Sequence, residues 1–241
     1  MKRIFPEMND RPGNWMPAVL VAYWIFAFAI IPVWLPMITE GFWGSAQFNS
    51  WVDVIYHAVN AAVIVAILKE YAVESLLEVQ LDPKKFVKTV GIAVMIMVSI
   101  APVLLVASGV LMGEVYPIQS MTVAAAPGVM VEQLPVIGTL CNAVFTPISV
   151  TGLIYAAGFA PMCCRRTWLG YLTLPLVLLG PVVFEIMWRG LSDYVIPTYL
   201  LQLPMHYIAC WAYQKADTVW APVTTLALFN LLVSIIILIP L

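Results

Sequence analysis

Asp53, His57 and Asn60 recur at i, i+4 and i+7, so on a helix they share one face. A carboxylate, an imidazole and a carboxamide on one stripe could line a cavity, hold a metal ion or pass a proton. Equally, Asp53 and His57 could lie at a headgroup boundary and pair with each other. Glu185 and Arg189 are four apart, a spacing that lets them form an ion pair along a helix. His206 and Asn230 each stand alone in an apolar run. A buried polar side chain there is either a packing hydrogen bond between helices or part of a site. Cys163-Cys164 beside Arg165-Arg166 either carries an acyl chain at an interface or packs as a small apolar pair. The sequence has no Gly-rich nucleotide loop, serine-triad motif or His-Glu-x-x-His zinc motif. Its four cysteines show neither metal-ligand spacing nor the pattern of a secreted disulfide scaffold. No cofactor is expected.

The elements that must position these groups follow from composition. Of 241 residues, 63% are hydrophobic and 10% charged. Soluble domains run near ~45–50% apolar and ~25% charged. A soluble globular domain and a disordered tail are therefore excluded. The net charge of −2 offers no basic face for phosphates, which excludes nucleic acid as a partner. The expectation is an all-α, polytopic transmembrane bundle.

Residues 12–39, 89–113, 133–164, 167–184, 194–214 and 218–241 carry no Asp, Glu, Lys or Arg. Each is long enough to cross a bilayer as a helix. Adding the run from Trp51, which carries only Asp53, predicts seven spans near 15–37, 51–68, 89–112, 136–161, 167–184, 195–213 and 220–240. The uncharged segment 115–131 is broken by Pro117, Pro127 and Gly128. It reads as an interfacial or re-entrant piece, with an eighth span as the alternative. An inner N-terminus places ten of the eleven Lys and Arg residues on the inner side, with Arg189 alone outside. That is the bias expected of cytoplasmic loops, and it puts the C-terminus outside. The long polar segment 69–88 reads as a solvated inner loop with a helical start. Glu70, Glu74 and Glu78 share one face of that helix, and Asp82-Pro83 ends it.

The C-terminal stretch from Tyr213 to Leu232, with Trp220-Ala221-Pro222 leading to Asn230, resembles the last block of the CPBP family. These are the CAAX proteases and bacteriocin-processing enzymes, also called Abi proteins, in which a final helix carries His-x-x-x-Asn. Here Asn230 fits, and Leu226 stands at the His position. The family's Glu-Glu-x-x-x-Arg-Gly-Leu block has two registers. One falls on Thr146-Pro147 to Thr151-Gly152-Leu153 and keeps the family's chain spacing. The other falls on Phe184-Glu185 to Arg189-Gly190-Leu191, with His206 as the middle His. The first register is preferred. Both lack the first Glu, at Thr146 or Phe184, and both lack the terminal His. The chemistry the resemblance implies needs a carboxylate to activate water and His or Asn groups to stabilise the oxyanion. A Thr, Phe or Leu does neither, so the resemblance implies a catalytically degenerate member. Residues 1–134 then form the N-terminal transmembrane helices and 135–241 a CPBP-like core, within one structural domain.

Three functions follow as expectations. The first is a membrane scaffold, accessory subunit or immunity-type protein that binds another membrane protein or peptide amid membrane lipid. Small residues in span four, Gly138, Ala143, Gly152, Ala156, Ala157 and Gly158, would admit a partner helix. The second is a working intramembrane endopeptidase using Glu185, Arg189, His206 and Asn230. The third is a transporter or permease subunit whose path is lined by Asp53, His57 and Asn60.

Overall fold

The computed structural model describes residues 16–27, 46–112, 136–151, 159, 166–189 and 195–238. The side chains of Asp53, Glu70, Glu185 and Arg189 lie outside the described set, as do segment 115–131 and Cys163-Cys164. Every regular element among the described residues is helical. They are α1 (Met16–Ile25), α2 (Ala46–Ile67), α3 (Lys69–Leu81), α4 (Pro83–Met112), α5 (Val136–Thr146), α6 (Thr167–Arg189), α7 (Val195–Ala216) and α8 (Trp220–Leu238). One of them, over Pro83–Ala107, is long and apolar enough to cross a membrane by length and composition. Shorter apolar stretches cover Val54–Ile67 and Trp220–Ile236.

The helical start expected in segment 69–88, and its end at Asp82-Pro83, are present, but the segment is helical almost throughout. It is helix α3 followed directly by the first turn of α4, with Asp82 alone between them. Asp82 Oδ1 accepts the Lys85 backbone N–H at 3.0 Å. Asp82 thus caps the helix that Pro83 opens, where the missing proline N–H costs nothing. A charged helix need not be solvated on every side. Tyr71, Ala72 and Ser75 of α3 are buried, while Val73, Glu74, Leu76 and Leu77 are exposed. The third predicted span therefore begins six residues early, at Pro83.

Span four also departs from a plain helix. After Thr146 the chain widens into a π-helical turn over Pro147–Thr151. Pro147 has no N–H to give to the preceding turn, and a π turn is a common answer to such a break. Pro102 and Pro204 lie inside α4 and α7.

Helix α8 is the hub, packing on α4, α5, α7 and the π turn. Helix α5 lies between α2 and α8, and α7 between α4 and α6 as well as against α8. Small side chains pack where three helices meet: Val90 and Ala93 of α4 cluster with Ala212 of α7 and Ala221 of α8. The larger core holds Ile64, Met97, Leu174, Met205, Leu226 and Phe229. One end of the bundle is tied by polar contacts. Thr218 Oγ1 donates to the Ser75 carbonyl at 2.9 Å, and Trp220 Nε1 to the Ala72 carbonyl at 2.9 Å. The Tyr71 and Tyr213 hydroxyls are 2.8 Å apart. Tyr171 donates to Gln214 Oε1 at 2.8 Å. Lys69, Arg166 and Lys215 neighbour these contacts in the chain, so the basic turns gather at one end.

Candidate functional site

The helices expose many large apolar side chains although their interior is also mostly apolar. Their outward faces carry Ile55, Val59, Met95, Val103, Val106, Val110, Leu172, Leu176, Leu232 and Ile236, with Met95 67% and Val110 79% exposed. The buried polar side chains are His57, Asn60, Ser75, Thr89, Thr146, Ser149, His206, Thr218, Thr225, Asn230 and Ser234. A soluble protein puts such apolar groups inside and exposes them only in limited patches. Every buried polar group in this described set is a hydroxyl, an amide or an imidazole.

On α2 the buried positions are Val54, His57, Asn60, Ala61, Ile64 and Leu68, the 3–4 spacing of one helix face. His57 and Asn60, each 2% exposed, point into the bundle. The backbone of Asp53 lies one turn before His57. His57 Nδ1 is 2.8 Å from Ser149 Oγ, across 92 residues of chain. Ser149 Oγ donates to the Thr146 carbonyl at 3.1 Å. A hydroxyl has one proton to give. With that proton on Thr146, His57 Nδ1 is the donor and the serine oxygen the acceptor. This is the reverse of a serine nucleophile, whose hydroxyl must donate to its base. The pair instead joins α2 to the π turn. Tyr23 of α1 donates to Asn60 Oδ1, and Tyr56 donates to the Ala27 carbonyl. Asn60 Nδ2 is buried and has no hydrogen-bond partner among the described residues.

The hairpin of α7 and α8 sets the remaining levels. Asp217 turns it at φ 60°, and its N–H donates to the Tyr213 carbonyl at 2.8 Å. His206 stands ten residues before the end of α7, and Asn230 ten residues after the start of α8. At 1.5 Å per residue, both lie about 15 Å from the turn. The two helices pack together, so two buried polar groups share one height. Ser234 follows one turn further along α8.

Glu185 does not join them. Tyr207, next to His206, donates to the Tyr171 carbonyl of α6 at 3.1 Å, and the two rings stack at 6.0 Å. Glu185 is fourteen residues beyond Tyr171 on α6, or about 21 Å along its axis. A glutamate side chain does not span that. Glu185 and Arg189 belong to the C-terminal end of α6, and their side chains lie outside the described residues. The positions of the other register, Thr146, Pro147 and Leu226, are buried on α5, the π turn and α8, elements that pack on one another. The Thr151 side chain and Gly152 lie outside the described residues.

The partner-helix stripe expected on span four changes as well. Ala143 is buried on α5, the helix held between α2 and α8. It therefore faces the protein's own interior. Gly152, Ala156, Ala157 and Gly158 lie outside the described residues. Ser149 and Tyr23 are the groups that sequence reasoning missed. Nothing local marks a serine after a proline, or one tyrosine among many, as the partner of a distant histidine or asparagine. Comparison with protein-family models, with curated proteins and with solved structures gives no match.

Proposed function

We propose that the protein is a multi-pass integral membrane protein of seven spans, with its N-terminus and basic turns on the cytoplasmic side and its C-terminus outside. Within that bundle it binds another membrane protein or peptide and does not cut it, as a catalytically degenerate relative of the CPBP family would. One observation carries the reading: large apolar side chains are exposed along the outward faces of most described helices, while the fully buried polar residues described are neutral. In lipid the exposed apolar faces need no cover, and charges avoid the interior. Thr, Pro and Leu at the positions of the family's catalytic groups leave water unactivated. His57 and Ser149 join two elements of the bundle by a hydrogen bond, the ordinary use of such groups in membranes, and the buried His206 and Asn230 are read the same way.

Against the endopeptidase reading stands the position of Glu185 in the chain, about 21 Å along α6 from the level of His206. The permease reading keeps one specific support, the buried Asn60 amide with an unmatched donor. Reporter fusions after Gly44, Leu77, Thr122 and Leu241 test the topology, with out, in, out and out expected. A C-terminal fusion reporting inside contradicts seven spans. A peptide-cleavage assay on the purified chain tests the function: binding without cleavage is expected, and turnover that depends on Glu185 contradicts it. Transport in proteoliposomes abolished by Asp53→Ala would move the protein to the permease class.

A further inference from the structure

The outward face of α4 carries a groove of about 480 Å³, lined by Val87, Lys88, Gly91, Ile92, Met95, Ile96 and Ser99, and ending at Ile100. These residues follow one another at i+1 and i+4, so they form one stripe along the helix. Lys84 lies one turn before Lys88 on the same stripe, and Lys85 adjoins it. All three lysines are exposed, with Asp82 beside them and Glu78 one turn before it in the chain. From Lys88 to Ile100 the stripe runs about 18 Å. A single leaflet of the hydrocarbon core is about 15 Å deep. The described lining is thus a shallow, open apolar stripe on one helix face, about one leaflet long, with lysines at one end. At its centre, a Cβ built on Gly91 would meet no atom within 4 Å. Ser99 spends its hydroxyl on the Met95 carbonyl at 2.8 Å, which leaves the far half of the groove apolar.

We infer that this groove is a binding site for an anionic glycerophospholipid, with an acyl chain along Gly91, Ile92, Met95 and Ile96 and the headgroup phosphate at Lys84 and Lys88. The inference rests on the membrane reading above. It goes further by assigning a ligand class and a leaflet, the one facing the basic turns. Charge complementarity selects the occupant. A second copy of this chain would bring its own lysines against these three. A zwitterionic lipid would leave them unmatched. A lysine beside an anionic leaflet strengthens binding by about fivefold.

The test uses the full-length protein in vesicles of phosphatidylcholine. Each preparation holds a small fraction of phosphatidylglycerol or phosphatidylcholine bearing a photoreactive acyl chain, and the labelled residues are mapped by mass spectrometry. Retention after alkaline washing is measured in parallel. The expected result is labelling along Val87–Ile100 that favours phosphatidylglycerol. Lys84→Gln with Lys88→Gln should cut that preference by about fivefold for each lysine replaced. Gly91→Leu, which the open space at Gly91 accommodates, should lower labelling by both lipids. Equal labelling by the two headgroups overturns the inference, as do crosslinks between copies of the chain along this stripe. Release of the unmodified protein by the alkaline wash fails the membrane reading itself, and the lipid site with it.

Discussion

Breaking the His57–Ser149 contact measures how firmly the polar interior holds the bundle. The two residues sit on α2 and on the π turn, 2.8 Å apart and both buried. Ser149→Ala removes one hydroxyl and takes the acceptor from His57 Nδ1. His57→Leu removes the imidazole while keeping an apolar body of similar size. In water, losing the partner of a buried donor costs about 1–3 kcal/mol. Inside a membrane bundle the unfolded reference state also finds partners, and measured interhelical pairs average about 0.6 kcal/mol with a maximum near ~1.7. The expected coupling between the two substitutions is therefore about 0.6–1.7 kcal/mol, with either single change destabilising the protein. The assay is reversible unfolding in lipid bicelles for wild type, both single variants and the double variant. Strict additivity would refute the reasoning, because two residues that share one hydrogen bond must couple.

Other expectations follow from local geometry. Asp217 holds a left-handed conformation in the α7–α8 turn, so Asp217→Gly should be tolerated. Asp217→Val should cost about 1–2 kcal/mol, read as a lower unfolding midpoint in the same assay. Tyr213→Phe leaves the buried Tyr71 hydroxyl without its 2.8 Å partner and should destabilise by about 1–3 kcal/mol. Adding Tyr71→Phe should recover part of that loss, and a further drop would speak against a direct contact. Glu185→Gln, near the C-terminal end of α6, should leave stability within about 0.5 kcal/mol and binding to a membrane partner unchanged. Loss of a measured cleavage activity in that variant would restore Glu185 to a catalytic role.

The sequence shows helicity because periodicity and charge are local properties. Uncharged runs marked α4, α6, α7 and α8 to within a turn or so at most ends, and Asp82-Pro83 marked the junction of α3 with α4. What was not legible over 69–88 is that the helix has a buried face. Charge density measures which face is wet, not whether a helix forms, and α3 buries Tyr71 and Ser75 while showing Glu74 outward. The π turn after Thr146 depends on how α5 is held between α2 and α8, so Pro147 alone did not announce it. The site was half legible. A stripe of His57 and Asn60 follows from their spacing, but its partners Ser149 and Tyr23 are set by packing across 92 and 37 residues of chain. Two solitary residues, His206 and Asn230, share a height only because the α7–α8 turn is tight and centred on Thr218. Motif letters alone placed Glu185 with them, and helix rise separates it.

The account rests on the outward apolar faces of the helices lying in lipid. Spin labels on single cysteines, in a background without the four native ones, report this directly through their accessibility to oxygen and to a water-soluble nickel complex in proteoliposomes. Labels at Met95, Val103, Leu176 and Leu232 should show high oxygen and low nickel accessibility, the pattern of side chains in acyl chains, whereas Met97 and Leu174 should be shielded from both. High nickel accessibility at Met95, Val103, Leu176 and Leu232 would place those faces in water and contradict the membrane bundle.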